Sequence, residues 1–409
     1  MAEVFVLEVR LYDQPIGTLT RVEGDRTIFA FNEDYVSDSH RPTLGLSFKD
    51  SYGELITEFR IRQTRVMPFF SNLLPEGHLR RYLADRANVN PVREFFLLWV
   101  LGQDLTGAVT VVPADGESLP PPAEGILEAD ETGHREEGSI LRFSLAGVQL
   151  KFSAINEATG GLAIPAQGMG GSWIVKLPSR EYEGVPENEF SMMTLARLVG
   201  IDVPAIELVD VRDIANLPAG IEKVGGKAFA IERFDRLSDQ SKVHIEDFAQ
   251  IFNVYPDKKY EKASFRDIAE VVRIEGGEED VAELIRRLTF NSLIGNADMH
   301  LKNWSMMYPD RRNAVLAPAY DFLSTVPYIP EANAALTVSR TKRFDGFTED
   351  ELRHLSARAR LPEQLVIDSA RETVERFRQH WASEKYNLPM LREVATAVEQ
   401  QLKIVPLAS

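Results

Sequence analysis

The sequence predicts an α+β protein with a β-rich amino-terminal half and a mainly helical carboxy-terminal half. Short runs of β-branched and aromatic residues dominate the first half, and apolar residues spaced near 3.6 dominate from about residue 244 onward. The chain has 409 residues, of which 44% are hydrophobic, so sizeable cores and more than one domain are expected. It contains no cysteine, which excludes disulfides, thiolate metal sites and a cysteine nucleophile.

Before residue 113, the pattern predicts short strands around one apolar helix. The helix is expected at Glu94–Leu101, which is almost wholly apolar. The β-type runs lie at residues 4–12, 27–31, 43–48 and 108–112. Residues 1–112 should therefore form a small α+β domain.

An acidic, proline-rich segment follows at residues 113–138. It contains three consecutive prolines, eight acidic residues and one arginine, with almost no large apolar side chain. Such a segment cannot bury enough surface to offset the entropy lost on ordering, so we expect a solvated linker. It holds about seven of the sixteen net negative charges of the chain.

After the linker, a second strand-rich region precedes the helices. Strands are expected at residues 139–143, 173–177, 206–211 and 227–231, and a helix at 187–198 ends just before Gly200, a suitable C-cap. Further helices are expected at 281–294, 348–360 and 362–383, and Thr348 with Glu351 forms a capping-box signature. A β half followed by a helical half, with polar motifs at the junction, is typical of a two-lobed phosphotransferase.

Charge and hydropathy exclude several classes of protein. The first residues, MAEVFVLEVR, carry acids where a signal peptide needs bases, and the longest apolar run is far below the ~20 residues that span a bilayer. A net charge of −16 argues against bulk binding to nucleic acid or anionic membrane by this chain alone. We expect a soluble, cytoplasmic protein.

The densest chemical motif is GNADMHLKN at residues 295–303, directly after an apolar helix. Asp298 and Asn303 have the spacing of the Asp and Asn in a protein-kinase catalytic loop. There, the carboxylate accepts the proton of an attacking hydroxyl and the amide oxygen coordinates Mg²⁺. Lys302 could neutralise charge on a transferred phosphoryl group. The alternative is a polar loop with helix-capping contacts.

A second carboxylate motif, AYDFL at residues 319–323, follows a short apolar run. Asp321 stands where a kinase carries the metal-binding Asp of Asp-Phe-Gly, but Leu323 replaces the glycine. A turn aspartate after a strand is the alternative. Together with Asp298 and Asn303 it would provide three oxygen ligands, which suit a hard Mg²⁺ ion.

Two lysines in predicted strands could meet phosphate. Lys176 lies among apolar residues and needs a partner, for which Glu189 on the next helix is the nearest candidate. Lys151 ends the segment SLAGVQLK, which could be a phosphate-holding hairpin. The alternatives are an edge-strand lysine pointing to solvent and an ordinary hairpin.

The segment FAIERFDR, at residues 229–236, is a strand that runs into a charged turn. In a two-lobed kinase this is the hinge, where backbone groups of Glu232 and Phe234 would meet adenine and Asp235 could reach the ribose. A strand end with a local Arg–Asp pair is an equally simple interpretation.

These motifs, in this order, resemble the HipA family of serine/threonine kinases, which are toxins of bacterial type II toxin–antitoxin modules. The amino-terminal segments FSNLLPE at 70–76 and DLTGAV at 104–109 also resemble the family. The resemblance implies a two-lobed kinase-like fold, with an amino-terminal domain at 1–112, a linker at 113–138, a kinase amino-terminal lobe at 139–240 and a helical lobe at 241–409.

The resemblance also implies roles for individual residues. Asp298 would be the catalytic base, assisted by Lys302, and Asn303 and Asp321 would bind Mg²⁺. The residues implied in ATP binding are Lys151, Lys176, Glu232, Phe234, Asp235, His300 and the loop residues Ala146, Gly147, Val148 and Gln149. Ser144 falls on the position that members autophosphorylate.

Substrate and partner are implied in the same way. Family substrates include aminoacyl-tRNA synthetases, notably the glutamyl enzyme, whose phosphorylation arrests growth and promotes drug tolerance. The usual partner is HipB, a helix-turn-helix antitoxin through which operator DNA is reached.

Two other functions remain open from the residues. A small-molecule kinase of the aminoglycoside-phosphotransferase type has a similar Asp/Asn loop but lacks a β-rich domain like residues 1–112. A degenerate, non-catalytic protein could bridge an antitoxin and DNA, but the presence of Asp298, Asn303, Asp321 and Lys176 counts against it.

Overall fold

The fold is α+β with two lobes and an additional amino-terminal domain, as the sequence predicts. The computed structural model describes residues 4–116, 151–156, 161–164, 170–179, 181–217, 224–239, 241–329 and 333–409. The strand expected at 139–143 lies outside the described residues, as do Ser144, Ala146, Gly147, Val148 and Gln149.

An antiparallel sheet with strand order β4-β3-β2-β1-β5 forms the centre of the amino-terminal domain. Alternate residues of β1 (Leu7, Val9 and Leu11) are fully buried, as expected for a sheet with one face on a core. The strands are β1 Phe5–Leu11, β2 Gln14–Val22, β3 Arg26–Phe31, β4 Arg62–Gln63 and β5 Val109–Pro113. The helices are α1 Glu33–Ser37, α2 Pro68–Asn72, α3 Gly77–Ala87 and α4 Glu94–Leu101.

Helix α4 has the predicted bounds, but the strand predicted at 43–48 is wrong. This segment instead ends in a short 3-10 turn, Leu46–Phe48. The backbone N–H of Leu46 donates to Oε1 of Glu246, 2.8 Å away, so a side chain takes the place of a neighbouring strand. Phe48 packs edge-on against Phe69 of α2 and is fully buried.

A second sheet, with strand order β7-β6-β8-β10-β9, forms the amino-terminal lobe of the two-lobed part of the chain. Lys151 of β6 lies opposite Lys176 of β8 in antiparallel register, so both side chains leave the same face of the sheet. The strands are β6 Lys151–Asn156, β7 Leu162–Ala163, β8 Trp173–Lys176, β9 Ile206–Asp210 and β10 Lys227–Glu232. Helix α5, Val185–Val199, ends at Gly200, whose φ of +98° confirms the predicted C-cap.

The carboxy-terminal lobe is mainly helical, but it begins with strands where helices were expected. The antiparallel strands are β11 His244–Asp247, β12 Ser305–Tyr308 and β13 Val315–Leu316. The helices are α6 Phe248–Ile251, α7 Phe265–Glu275, α8 Gly277–Leu293, α9 Glu349–Ala359, α10 Glu363–Glu384 and α11 Arg392–Ile404.

A single apolar core joins the central sheet to the helical lobe. It contains Met192 of α5, Phe229 of β10 and Phe290 of α8, all without exposed surface. The two lobes are therefore held against each other, and the polar motifs lie where they meet. No helix of the described segments is long and apolar enough to cross a membrane.

Candidate active site

The loop at residues 295–303 is fixed in shape by its own asparagine. Gly295 follows α8 with a φ of +66°, and a Cβ there would lie 2.7 Å from Cγ1 of Val326, so this turn requires glycine. Oδ1 of buried Asn296 accepts from the backbone N–H of Asp298 at 2.9 Å, and its Nδ2 donates to Oδ1 of Asn291 at 2.8 Å. The loop is thereby anchored to the end of α8.

Asp298 presents an accessible carboxylate at this loop. Its side chain is 55% exposed, and its Oδ1 accepts a 2.6 Å hydrogen bond from the hydroxyl of Tyr260. Nε2 of His300 is 3.9 Å from the same oxygen. Nδ2 of Asn303 donates to the Asp298 carbonyl at 2.8 Å, so the two residues share one turn. The carboxylate can accept a proton from a group that approaches from solvent.

At the lobe boundary, Lys176 lies between the buried carboxylate of Glu189 and the partly exposed carboxylate of Asp321. Its ammonium donates to Oε1 of Glu189 at 2.5 Å, the partner that the sequence predicted, and it also contacts Oδ1 of Asp321. Burial opposes the charged form of Lys176, but the carboxylates of Asp321 and Glu189 outweigh it and raise its pKa. Burial raises the pKa of Glu189 to about 7. These three groups form a compact charged centre at the lobe boundary.

Lys151 adds a second cation next to this centre. It stands opposite Lys176 in the sheet. Loss of hydration lowers the pKa of Lys151, the Lys176 cation adds to this effect, and the Asp321 carboxylate opposes it. Two lysines facing one cleft provide a site for an anionic group such as phosphate.

The carboxylate of Asp321 and the amide oxygen of Asn303 are oxygen donors of the type that hard divalent cations take. Burial opposes ionisation of Asp321, but Lys176 and Lys151 lower its pKa to about 2, so the group is a carboxylate; its φ is +58°. Oδ1 of Asn303 accepts no hydrogen bond from the part of the chain that the structure describes. Among the described residues no cluster of three or more His, Asp or Glu is suited to a metal. One carboxylate and one amide suit Mg²⁺, which commonly takes its other ligands from phosphates and water.

His300 has a buried nitrogen without a partner beside this site. Its Nδ1 makes no hydrogen bond within the described structure, and burial lowers the pKa of the ring to about 4. A neutral ring with an unsatisfied nitrogen is costly unless a ligand completes it. This orphaned atom is consistent with a polar ligand in the cleft.

Two of the three predicted adenosine-binding residues lie at the end of β10. The backbone N–H of Glu232 donates to the Ala205 carbonyl at 2.8 Å, and its side chain is exposed. The ring of Phe234 is tilted against Tyr320, with ring centroids 5.9 Å apart. The Glu232 N–H is thus bonded within the protein, and the predicted contact of this turn with adenine stays a prediction.

Asp235 has a different environment from the one predicted. It is only 4% exposed, and its carboxylate accepts from Nε of Arg233 (2.9 Å), Nη1 of Arg236 (2.8 Å) and the backbone N–H of Gly107 (2.8 Å). Because the carboxylate is enclosed by these donors, it is not free to reach a ribose. The simpler interpretation, a local Arg–Asp pair, describes it better, and the pair is completed by the amino-terminal domain.

Two residues that reach the loop at 295–303 were not predicted from the sequence. Tyr260 contacts Asp298, and Glu76 of the amino-terminal domain binds the ammonium groups of Lys302 (2.7 Å) and Lys259 (3.0 Å). Burial opposes ionisation of Glu76, but the two lysines lower its pKa to about 2. The only signal for Glu76 was its place in the segment FSNLLPE, which carried no assigned role.

Comparisons with known proteins agree with this architecture. Residues 143–381 match the HipA-like C-terminal domain, and residues 7–112 match the HipA N-terminal domain. Y4dM of Sinorhizobium fredii, described as a candidate kinase, is 58% identical and covers 100% of this chain and 98% of its own. The serine/threonine-protein kinase toxin HipA of Shewanella oneidensis is 26% identical over 96% of this chain and 92% of its own.

A solved structure has the same fold. The toxin HipA of Shewanella oneidensis, in a complex with HipB and operator DNA, superimposes with a TM-score of 0.72 at 23% identity, covering 97% of this chain and 96% of that one. At this identity the likeness shows the fold. The two domain matches and the 58% identical relative show the family, so the chain belongs to the HipA family of kinases.

Proposed function

We propose that the protein is an ATP- and Mg²⁺-dependent serine/threonine kinase and the toxin of a toxin–antitoxin pair. The observation that carries this proposal is the convergence of its two charged centres. Asn296 connects them, because its Oδ1 holds the backbone of Asp298 while its Nδ2 lies 3.4 Å from the carbonyl of Asp321. An exposed carboxylate and a lysine–carboxylate centre are therefore joined through one buried asparagine, which supports a shared site for phosphoryl transfer.

In this proposal each side chain has one task. Bound Mg²⁺ and ATP would supply the transferable phosphoryl group and neutralise part of its charge. Asp298 accepts the proton of a substrate serine or threonine hydroxyl as that oxygen bonds to the γ-phosphorus and the bond to the bridging oxygen breaks, releasing ADP. Lys176 and Lys151 hold phosphate oxygens, and Asn303 and Asp321 hold the metal.

The test is phosphoryl transfer from γ-labelled ATP by the purified full chain. We expect label on the protein or on a lysate protein, and at least a 100-fold loss in Asp298→Asn and Asp321→Asn. Asp368→Asn is the matched control, because Asp368 is exposed on α10 and bonds only its neighbour Gln364 in the described structure. Absence of any transfer by the wild type would leave a non-catalytic bridging protein as the better explanation.

We further propose autophosphorylation at Ser144 and a translation factor as the substrate, with glutamyl-tRNA synthetase the first candidate, in the cytoplasm. The support is membership of the HipA family and the name of the Shewanella relative, a serine/threonine-protein kinase toxin. Mass spectrometry after incubation with ATP should find phosphate on Ser144, and a phosphoproteome compared between wild type and Asp298→Asn should name the substrate. Label on a small molecule alone would contradict the assignment.

For a partner, we propose a HipB-like helix-turn-helix antitoxin that connects the kinase to operator DNA. The related toxin was solved with HipB and its operator DNA. The net charge of −16 favours an indirect contact, since the partner would bring the basic surface that phosphates require. Gel-shift assays should show no DNA binding by the kinase alone and a larger complex when the antitoxin is added.

A further inference from the structure

A segment of the amino-terminal domain reaches the lysine of the catalytic loop. The ammonium of Lys302 donates to the backbone carbonyl of Asn72 at 3.0 Å and lies 2.7 Å from Oε1 of Glu76. Asn72 is itself fixed, because its Nδ2 donates to the carbonyl of Val254 at 2.7 Å in the carboxy-terminal lobe. Lys302 is therefore held by two groups of the amino-terminal domain, in which no catalytic residue was predicted.

Glu76 divides its carboxylate between two lysines. Its Oε1 meets Lys302, and its Oε2 meets Lys259 at 3.0 Å. Both lysines have little exposure, with 15% and 18% of their side chains accessible. In the described structure Asn72 and Glu76 take two of the three donors of the Lys302 ammonium, so one remains for an anion.

The same carboxylate acts indirectly on Asp298. Lys259 lies with its ammonium 5.6 Å from the ring centroid of Tyr260, within cation–π range, and the hydroxyl of Tyr260 donates to Oδ1 of Asp298 at 2.6 Å. The backbone carbonyl of Lys259 also accepts from the N–H of Leu301 at 3.3 Å. An unbroken series of contacts therefore runs from Glu76 to the catalytic loop.

We propose that Glu76 is a positioning residue for phosphoryl transfer, supplied by the amino-terminal domain. It fixes Lys302 where charge develops on the transferred group, and through Lys259 and Tyr260 it fixes the carboxylate of Asp298. It touches neither substrate nor nucleotide in this role. The inference rests on the kinase function proposed above and assigns a task to the domain that precedes the two lobes.

The test is steady-state kinetics of Glu76→Gln and Glu76→Asp in the full chain. Glutamine keeps the shape but removes the charge that holds two lysines, so kcat should fall about 10- to 100-fold while KM for ATP changes less than about threefold. Aspartate keeps the charge and should recover part of the lost kcat. Glu23→Gln, an exposed site in the same domain, should match the wild type.

A coupling experiment separates positioning from loss of structure. If Glu76 acts mainly through Lys302, then Glu76→Gln should change kcat less than about fivefold in a Lys302→Met background, the size expected of the Lys259 route alone. If Glu76→Gln lowers the melting temperature markedly, Lys259→Met takes its place, and we expect a two- to fivefold fall in kcat because its ammonium no longer contacts Glu76 and Tyr260.

The outcomes distinguish this inference from the function on which it rests. An active wild type with an equally active Glu76→Gln variant overturns the positioning role and leaves the kinase intact. Equal losses in Glu76→Gln and Glu76→Asp, with no coupling to Lys302, also overturn it, because shape and not charge would then matter. A wild type without transfer activity removes both proposals together.

Discussion

Lys176 shows why one buried cation organises the whole cleft. A lysine inside a strand of apolar residues would lose its hydration at a cost of several kcal/mol if it stood alone. Contacts with Glu189 and Asp321 offset that cost, and they join β8, α5 and the loop after β13 at one point. The sequence predicts that Lys176 needs a partner. It does not predict the contact with Asp321, because that residue is 145 positions away along the chain.

Replacement of Lys176 by methionine should weaken nucleotide binding without unfolding the protein. Methionine fills the space but leaves Asp321 and Glu189 as unpaired carboxyl groups and removes the phosphate contact proposed for Lys176, so we expect Kd for ATP to rise at least 10-fold. Isothermal titration with a non-hydrolysable ATP analogue measures it. Lys227→Met, on an exposed lysine of β10, is the control, and equal affinity of both variants would contradict the assignment.

At the scale of elements, prediction succeeded where one local signal decides the structure. The apolar run of α4 and the glycine after α5 were sufficient to place those helices. Prediction failed where a distant residue decides: residues 43–48 have a β-type pattern, yet Glu246 captures the Leu46 amide from 200 positions away. Asp235 was misread for the same reason, since its partner Gly107 belongs to another domain.

At the start of α9, the capping-box signature predicts one of its two hydrogen bonds correctly. Oγ1 of Thr348 accepts from the backbone N–H of Glu351 at 3.1 Å, as the capping signature predicts. The carboxylate of Glu351 does not return to the cap but accepts from the backbone N–H groups of Ser339 and Arg340. The pattern thus identified the start of the helix but not the tertiary contact of its third residue.

Thr348→Ala should therefore destabilise the helical lobe modestly. Loss of the cap leaves a backbone N–H without its partner at a cost of about 1 kcal/mol, which corresponds to roughly 2 °C in melting temperature. Differential scanning calorimetry measures it. Thr57→Ala, in an exposed loop, should show no shift, and a Thr348→Ala variant that melts with the wild type would mean that the cap contributes nothing.

At the scale of the whole molecule, the amino-terminal domain is joined to the rest by buried polar contacts. Asp104 lies 3.3 Å from Nη2 of Arg236, and Nε2 of His244 lies 2.7 Å from the carbonyl of Leu44. Glu246 is the most unusual of these groups. Burial raises the pKa of Glu246 to about 8, although hydrogen bonds from Tyr308 and the Leu46 amide act in the opposite direction. Glu246 therefore carries a proton at neutral pH.

Glu246 makes the stability of this interface depend on pH. Its pKa is higher in the folded state than in the unfolded chain, so its contribution is complete below about pH 4.5 and is lost as pH rises through about 8. We therefore measure the free energy of unfolding with urea at pH 6 and pH 9. Between these two values it should fall by roughly 2 kcal/mol more in the wild type than in Glu246→Gln.

Two comparisons isolate this effect. The charges of Asp247 and Lys49 also affect the pKa of Glu246, and Glu189 has a raised pKa in the same range. The effect of Glu246 is therefore read from the difference in unfolding free energy between wild type and Glu246→Gln. Glu279→Gln, at an exposed position of α8, should keep the slope of the wild type. Parallel pH profiles for wild type and Glu246→Gln would show that Glu246 is not the titrating group.

The contacts of Asn72, Leu46 and Gly107 bear on how the chain is made. Each of these amino-terminal residues bonds to a partner between positions 235 and 254, so none of these three bonds can form while the first domain emerges from the ribosome. At 5 to 20 residues per second, that interval lasts on the order of ten seconds. Until more than half of the protein has been synthesised, the first domain is therefore without these three contacts.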